Sequence, residues 1–267
     1  MRQRKADAHK GDHGGLGVLG GSPGMVGAAI LAARMGLCAG AGRVYMVRPS
    51  LHDGFVVDPV TPEVMVMDHA AAKTRPITVW AIGPGLGVSD AAHRCVAEAL
   101  NEARPLVADA DALNLMAEDP ALGRLCSRRK APTVLTPHPG EAARLLEITT
   151  ADIQAARQAH AISIARKFNA IVVLKGHHSV IATPDGDCTI NATGNAALAT
   201  GGTGDVLTGL MGGLIAQHMD PHRAALLAAQ LHGKAAETLT TNIGGMIGIS
   251  ASELIPVIRQ HLNALSA

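Results

Sequence analysis

The sequence predicts a three-layer α/β/α fold with a mostly parallel central sheet and an antiparallel hairpin at one edge. Three observations carry this. Short β-branched apolar runs alternate with longer Ala- and Leu-rich segments, the pattern of βα units wound around a parallel sheet. Thirty glycines cluster in blocks just after those runs, where the loops at the carboxyl ends of such a sheet form a ligand crevice. Late in the chain the alternation stops, and a turn at Pro184-Asp185-Gly186 separates two short apolar runs.

The expected strands are Leu16–Leu19, Val44–Val47, Ile77–Ile82, Leu106–Ala108, Thr133–Leu135 and Ile171–Leu174. Helices are expected between them at Met25–Cys38, Ala91–Ala103, Ala112–Ala117, Glu141–Leu146 and Ala151–Phe168. The last of these starts with a capping-box pattern at Thr149-Thr150-Ala151-Asp152. His178–Ala182 and Cys188–Ile190 form the edge hairpin, and three helices follow near 205–217, 221–240 and 250–262. No Pro/Ser-rich linker or repeat divides the chain, so residues 1–267 read as one domain with a flexible tail over 1–9.

Composition narrows the function. Hydrophobic residues make up 48% and charged residues 17%, which excludes a disordered chain. At this length about three quarters of the unfolded surface can be buried, enough for a core without staples. Lys and Arg number 23 against 22 Asp and Glu, a net charge of +1, and aromatics are 1%. Neither an electrostatic footprint nor a base-stacking platform for nucleic acid is present. The cysteines Cys38, Cys95, Cys126 and Cys188 form no CxxC pair and read as reduced thiols. The basic start has no apolar segment of a secretory signal, and no run of about 18 apolar residues offers a membrane span. A cytoplasmic location, away from membranes, is expected.

The longest glycine block, Asn191 to Leu210, contains Thr200-Gly-Gly-Thr-Gly-Asp205 and leads into an apolar helix. Backbone N–H groups at a helix N-terminus attract phosphate without any side chain. A carboxylate there is unexpected, since its charge repels phosphate. It is explained if Asp205 is a general base taking a proton from a hydroxyl that attacks phosphorus, or if it is merely an N-cap.

Thr200-Gly-Gly-Thr-Gly-Asp-Val-Leu-Thr-Gly209 resembles the signature of the ADP/ATP-dependent NAD(P)H-hydrate dehydratases of the ribokinase-like superfamily. Further motifs follow in family order and cover nearly the whole chain. They are Lys10-Gly-Asp-His-Gly14, Gly20-Gly-Ser-Pro-Gly-Met-Val-Gly-Ala-Ala29, Gly83-Pro-Gly-Leu-Gly87, Asp109-Ala-Asp-Ala-Leu-Asn114, Thr136-Pro-His-Pro-Gly-Glu141 and Leu174-Lys-Gly176. The resemblance implies repair of (S)-NADHX and (S)-NADPHX. ADP or ATP phosphorylates the C6 hydroxyl of the hydrated nicotinamide ring and phosphate then leaves, with Mg2+ neutralising the nucleotide. It implies Asp205 as the catalytic base, Gly202, Thr203 and Gly204 as the anion hole, and Lys175, Gly176, His177, His178, Ser179 and Gly204 as nucleotide contacts. Ala28, Gly87, His138 and Asp205 match positions that contact the hydrated dinucleotide. Family members are often homo-oligomers, and a homo-oligomer is expected, although the helices near 221–240 and 250–262 fit a partner or the core equally.

The residues also admit plainer readings. His138, between Pro137 and Pro139, either contacts ligand or steadies its loop. Glu141 either holds magnesium through water or stabilises a helix dipole. Asp109 and Asp111 serve phosphate and metal or form Asx turns with Asn114. Lys175 either offsets phosphate charge or ends a strand in solvent, and His177 and His178 could offer only backbone. Gly15-Leu-Gly-Val-Leu-Gly20 fits GxGxxG but is itself the strand, so it is not read as a dinucleotide fingerprint. The family's Gly-Asn-Pro-Gly-Met-Ala run is Gly194-Asn-Ala-Ala-Leu-Ala199 here, which could shift the glycine loop. The first motif begins at Lys10, so the epimerase domain that many members carry is expected to be a separate protein. Two rival readings are a thiazole- or pyrimidine-alcohol-type small-molecule kinase of the same superfamily and a catalytically silent nucleotide-binding protein.

Overall fold

A computed structural model describes residues 6–51 and 54–265. A nine-stranded sheet has the order β3-β2-β1-β4-β5-β6-β7-β8-β9. Its strands are β1 Gly15–Leu19, β2 Arg43–Arg48, β3 Met65–Asp68, β4 Val79–Ile82, β5 Leu106–Ala108, β6 Thr133–Leu135, β7 Ile171–Leu174, β8 Val180–Ala182 and β9 Cys188–Ile190. Pairing is parallel from β3 across to β7 and antiparallel for β7–β8 and β8–β9. Side chains alternate across the pleat, so each strand feeds two cores. Val18, Met46, Ala81, Val107 and Val173 face one apolar layer, while Leu19, Val47, Ile82, Ala108 and Leu174 face the other.

The helices are α1 Val26–Cys38, α2 His69–Ala72, α3 Asp90–Asn101, α4 Asp111–Glu118, α5 Pro120–Ser127, α6 Pro139–Leu146, α7 Thr150–Ala155, α8 Arg157–Phe168, α9 Thr203–Ala216, α10 Pro221–Ile243 and α11 Ala251–Ala264. The layer on one face is built on α1, α9, α10 and α11, and the opposite layer on α3 to α8. Three elements lie outside the sequence expectation. Strand β3 is a short edge strand with Met65 exposed, and its apolar run Val64-Met65-Val66-Met67 is not among the expected strands. The four-residue α2 follows it directly. The third is α5, where Asp119 caps Pro120 at the first helical position, a start signal hidden by its nearness to α4.

One expected helix is corrected to two. Thr149 does cap α7, with the reciprocal Asp152 bond, but Ala156 at φ −145°, ψ 55° leaves the helical region and starts α8 afresh. The last helix before the carboxyl-terminal loop, α10, runs three residues beyond its expected end, to a left-handed Gly244. Residues 1–5 of the expected tail lie outside the described residues, while Ala6–His9 are exposed and lead into a 3-10 turn at Lys10–His13. All four cysteines are free, and burial pushes the Cys126 thiol up to about 12. Among the described residues no helix is long and apolar enough to cross a membrane.

The sheet order reverses between β1 and β4: β1 is followed by β2 on one side, and β4 opens the run on the other. Such a switch point leaves a crevice beyond the carboxyl ends of the strands. Two glycine-rich loops meet there. Gly21 N donates to Pro84 O (3.0 Å), and Ser22 donates to Gly85 O through both its backbone N (2.7 Å) and its Oγ (2.9 Å).

Candidate active site

Helix α9 begins at Thr203 rather than at Asp205, which places the acid inside the first turn. Gly202 is the N-cap at φ +91°, a conformation costly for any side chain, and a β-carbon there would stand 2.6 Å from Leu31 Cδ1. The N-cap reading of Asp205 is thereby removed, since Gly202 holds that place and the cap uses no side chain. Among the described residues no hydrogen bond or ion pair holds the Asp205 carboxylate. Burial, reinforced by the nearby charge of Asp109 and opposed by Lys175, pushes its pKa up to about 7. A carboxyl group so placed exchanges protons near neutrality, as a general base must.

Lys175, at the end of β7, brings its Nζ to Asp109 Oδ1 at 2.5 Å and to Glu141 Oε2 at 3.8 Å. Its side chain is 19% exposed, so the solvated strand-end reading does not hold. Burial works against the ammonium, yet Asp109, Glu141 and Asp205 together raise its pKa above the ordinary value and keep it charged. A β-carbon at Gly204 would lie 3.4 Å from Lys175 Nζ and 3.7 Å from Asp109 Oδ2, so this ion pair sits against the first turn of α9. Asp109, just after β5 and almost wholly buried, also accepts from Thr208 Oγ1 at 2.8 Å. Thr208, one helical turn beyond Asp205, is a site residue that sequence reasoning missed; its i+3 spacing was the available signal.

His138 caps α6. Its Nδ1 accepts from Gly140 N (2.9 Å) and Glu141 N (3.3 Å), and Glu141 Oε2 accepts from His138 N (2.7 Å). The loop-steadying reading is therefore built in, while half of the side chain remains exposed. Burial, with Lys175 and Arg144, lowers the His138 pKa, which suits an imidazole whose Nδ1 accepts. Glu141 is buried, and that burial raises its pKa against the pull of Lys175. Asp111 opens α4 and joins the two regions. Its Oδ2 accepts from Gly87 N (2.8 Å) and its Oδ1 from Asn114 Nδ2 (3.3 Å), and Asn114 accepts in turn from Arg144 on α6. Ala28 lies on the first turn of α1, where a β-carbon at Gly85 would meet its Cβ at 3.1 Å.

Lys175, Gly176, His177, His178 and Ser179 line a cavity of about 460 Å³. Its other walls include Thr203 and Gly204 of α9, residues 194–196 with Leu198 and Ala199, and His232 and Gly233 of α10. The His177 and His178 rings stack 3.8 Å apart at its rim. Arg157 supports this strand end by donating to the Leu174 and Lys175 carbonyls (3.1 and 3.3 Å). The changed run Gly194–Ala199 forms a 3-10 turn capped by Asn195, with Ala197 buried and Leu198 turned to the cavity. A second missed residue is Arg48, fully buried, whose Nε donates to Gly21 O at 2.6 Å and fixes the loop after β1. Nothing in its strand-end position marked it. Asp205, Lys175, Gly202–Gly204 and the cavity residues thus surround one crevice, which the Ala28–Gly87 loops and His138 border through Asp111 and Glu141.

Comparison with known proteins places the chain in a family. A family model described as NAD(P)H-hydrate dehydratase matches residues 16–259. An ADP-dependent (S)-NAD(P)H-hydrate dehydratase of Neisseria meningitidis is 42% identical, over 100% of this chain and 90% of that protein. A bifunctional NAD(P)H-hydrate repair enzyme of Moorella thermoacetica is 40% identical over 98% of this chain, which spans 52% of it. The crystal structure of the ADP/ATP-dependent NAD(P)H-hydrate dehydratase of Bacillus subtilis, co-crystallised with ATP and Mg2+, superposes with a TM-score of 0.85 at 34% identity, covering 100% of this chain and 95% of that one. The fold is the ribokinase-like α/β architecture read from the sequence, and the chain belongs to the NAD(P)H-hydrate dehydratase family.

Proposed function

We propose that this protein is a nucleotide-dependent (S)-NAD(P)H-hydrate dehydratase, a lyase that returns NADHX and NADPHX to NADH and NADPH using ADP or ATP. The observation that carries the reading is Asp205, a carboxylate with no fixed partner and a pKa of about 7 in the first turn of a phosphate-binding helix. A site built only to bind nucleotide is better served there by a neutral residue.

The hydrate carries a hydroxyl at C6. Asp205 takes that hydroxyl's proton as its oxygen attacks the terminal phosphorus. The new O–P bond forms as the P–O bond to AMP, from ADP, breaks. The N–H groups of the Gly202, Thr203 and Gly204 turn receive the transferred phosphoryl oxygens, with Lys175 Nζ beside them. The C6–O bond then breaks with its electron pair leaving on phosphate, the adjacent ring carbon gives up a proton, and the ring double bond is restored. Ala28, Gly87 and His138 are assigned to the hydrated dinucleotide, and Lys175–Ser179 with Gly204 to the nucleotide.

Asp109 and Glu141 offer hard oxygen donors that fit Mg2+. Among the described residues no three His, Cys, Asp or Glu side chains converge, so these carboxylates would share the ion with phosphate oxygens and water. Bound magnesium supplies neutralisation of the polyphosphate charge. We also assign the protein to the cytoplasm, as a homo-oligomer whose action is linked to NAD(P)HX epimerisation. The support for the link is that the Moorella relative is a bifunctional NAD(P)H-hydrate repair enzyme.

The test is absorbance at 340 nm when enzyme, Mg2+ and ADP, or ATP, are added to purified (S)-NADHX. A rise that requires nucleotide, with one phosphate released per NADH formed, is expected. A stable phosphate ester with no rise would replace this reading with the small-molecule kinase.

A further inference from the structure

His232, on α10, forms part of the floor of the 460 Å³ cavity. Only 7% of the residue is exposed, and its Nε2 atom is buried with no hydrogen-bond partner. Among the described residues one other buried side-chain atom shares that condition, the Thr183 hydroxyl, and Thr183 does not line the cavity. Burial holds the ring neutral, pushing its pKa down to about 4; a hydrogen bond between the ring and the Thr203 backbone pulls the other way, and Lys175 adds to the lowering. An unpaired polar nitrogen in a packed interior costs stability, and native structures keep few of them. A leucine would fill similar space without the orphaned nitrogen, though it would also lose the bond to Thr203.

The position of the ring explains why it is kept. Thr203 is the first residue of α9, and Gly204 beside it faces Lys175 Nζ. His232 therefore stands behind the turn assigned to the nucleotide's phosphates. A second cation beside Lys175 would be repelled there, whereas a neutral imidazole N–H adds a hydrogen bond and no charge. We infer that His232 is a nucleotide-contact residue whose buried Nε2 receives its hydrogen-bond partner from the phosphate end of a bound nucleoside diphosphate. In the free protein that atom is buried, so the contact forms as the ring turns from the Thr203 backbone toward the phosphates and gives them its single N–H. The inference rests on the assignment of the cavity to the nucleotide.

The experiment measures the melting temperature of ligand-free protein and the Kd for ADP with Mg2+, and for inorganic phosphate, in three variants. His232→Leu is expected to melt within about 2 °C of wild type, because the orphaned nitrogen and the bond to Thr203 are lost together. It should bind both ADP and phosphate about tenfold more weakly. His232→Gln, whose amide reaches the place of Nε2, should recover the ADP affinity. His232→Asn, which reaches only the place of Nδ1, should not. If His232→Leu binds ADP as wild type does, the inference is overturned. It is equally overturned if that variant melts more than about 4 °C lower and Gln fails to restore affinity, since His232 then serves structure alone. Leu198→Trp, which fills the cavity, separates the two levels. Unchanged ADP binding in Leu198→Trp would remove the cavity assignment itself; lost binding there with normal binding in His232→Leu would remove only the role of His232.

Discussion

Asp205 combines two demands that conflict in water. It must be ionised to accept a proton, yet it is partly buried with Asp109 near it, and phosphate is to arrive beside it. The raised pKa of about 7 resolves the conflict, since the carboxylate forms near working pH and is basic enough to take a hydroxyl proton. Asp205→Asn keeps the shape and removes the base, so kcat should fall at least ~100-fold while ADP still binds, as steady-state rates and calorimetry would report. The wild-type kcat/KM should climb with pH along a limb centred near 7 as Asp205 ionises. Stability must move in the opposite sense. The folded chain retains a proton on Asp205 from pH about 4 to 7, a window in which the unfolded chain has lost it, so stability falls as pH rises through that window. Asp205→Asn should therefore melt a few degrees above wild type at about pH 8 and level with it at about pH 4. Thermal scans at the two pH values decide this, and equal shifts at both would contradict the buried, proton-retaining carboxyl.

Helix α9 must carry that acid into the crevice while lying flat on the sheet, and glycine makes the approach possible. A β-carbon at Gly209 would stand 2.1 Å from the Ala32 carbonyl of α1, and one at Gly213 would stand 2.7 Å from both Ala39 Cβ and Gly36 O. The two helices therefore touch backbone to backbone. Gly209→Ala should force them apart and cost about 1–3 kcal/mol, a fall in melting temperature of several degrees, with a further loss of turnover as α9 tilts Asp205. This packing was only partly legible. Apolar, Ala- and Leu-rich composition marked α1 and α9, but nothing local tells a glycine that permits helix contact from one that frees a turn. The inner strands were legible because burial on both faces makes them continuous apolar runs. Strand β3 was not, although residues 64–67 are apolar, because it is followed by a four-residue helix rather than the long helix of a βα unit. Helix α8 kept good helical periodicity across its break, so the loss of helical geometry at Ala156 left no trace in sequence pattern. At the site, acids and glycines in odd places were readable, as Asp205 was. Partners that act from a distance along the chain were not. Thr208 meets Asp109 across 99 residues and Arg48 meets Gly21 across 27, contacts that only the assembled sheet creates.

The whole site depends on the whole sheet. Its parts follow β1 (the loop from Gly20), β4 (the loop to Gly87), β5 (Asp109), β6 (His138) and β7 (Lys175), and α9 closes them from above. Because β1 and β4 are neighbours at the point where strand order reverses, their two loops bond to one another instead of diverging. Both apolar layers share the same strands, so neither can be lost while the crevice remains. Nucleotide should therefore bind the native chain alone and stabilise all of it by mass action, about 2.7 kcal/mol at a hundredfold excess over Kd. In a chain of this length that corresponds to a rise of roughly 5–11 °C in a single unfolding transition, measured with saturating ADP and Mg2+. Asp205→Asn should show a shift at least as large, because the carboxylate that repels phosphate is gone while the phosphate-facing N–H groups and Lys175 remain. Two separated transitions, with only one moved by ADP, would mean that the two layers unfold independently and that the crevice belongs to one of them.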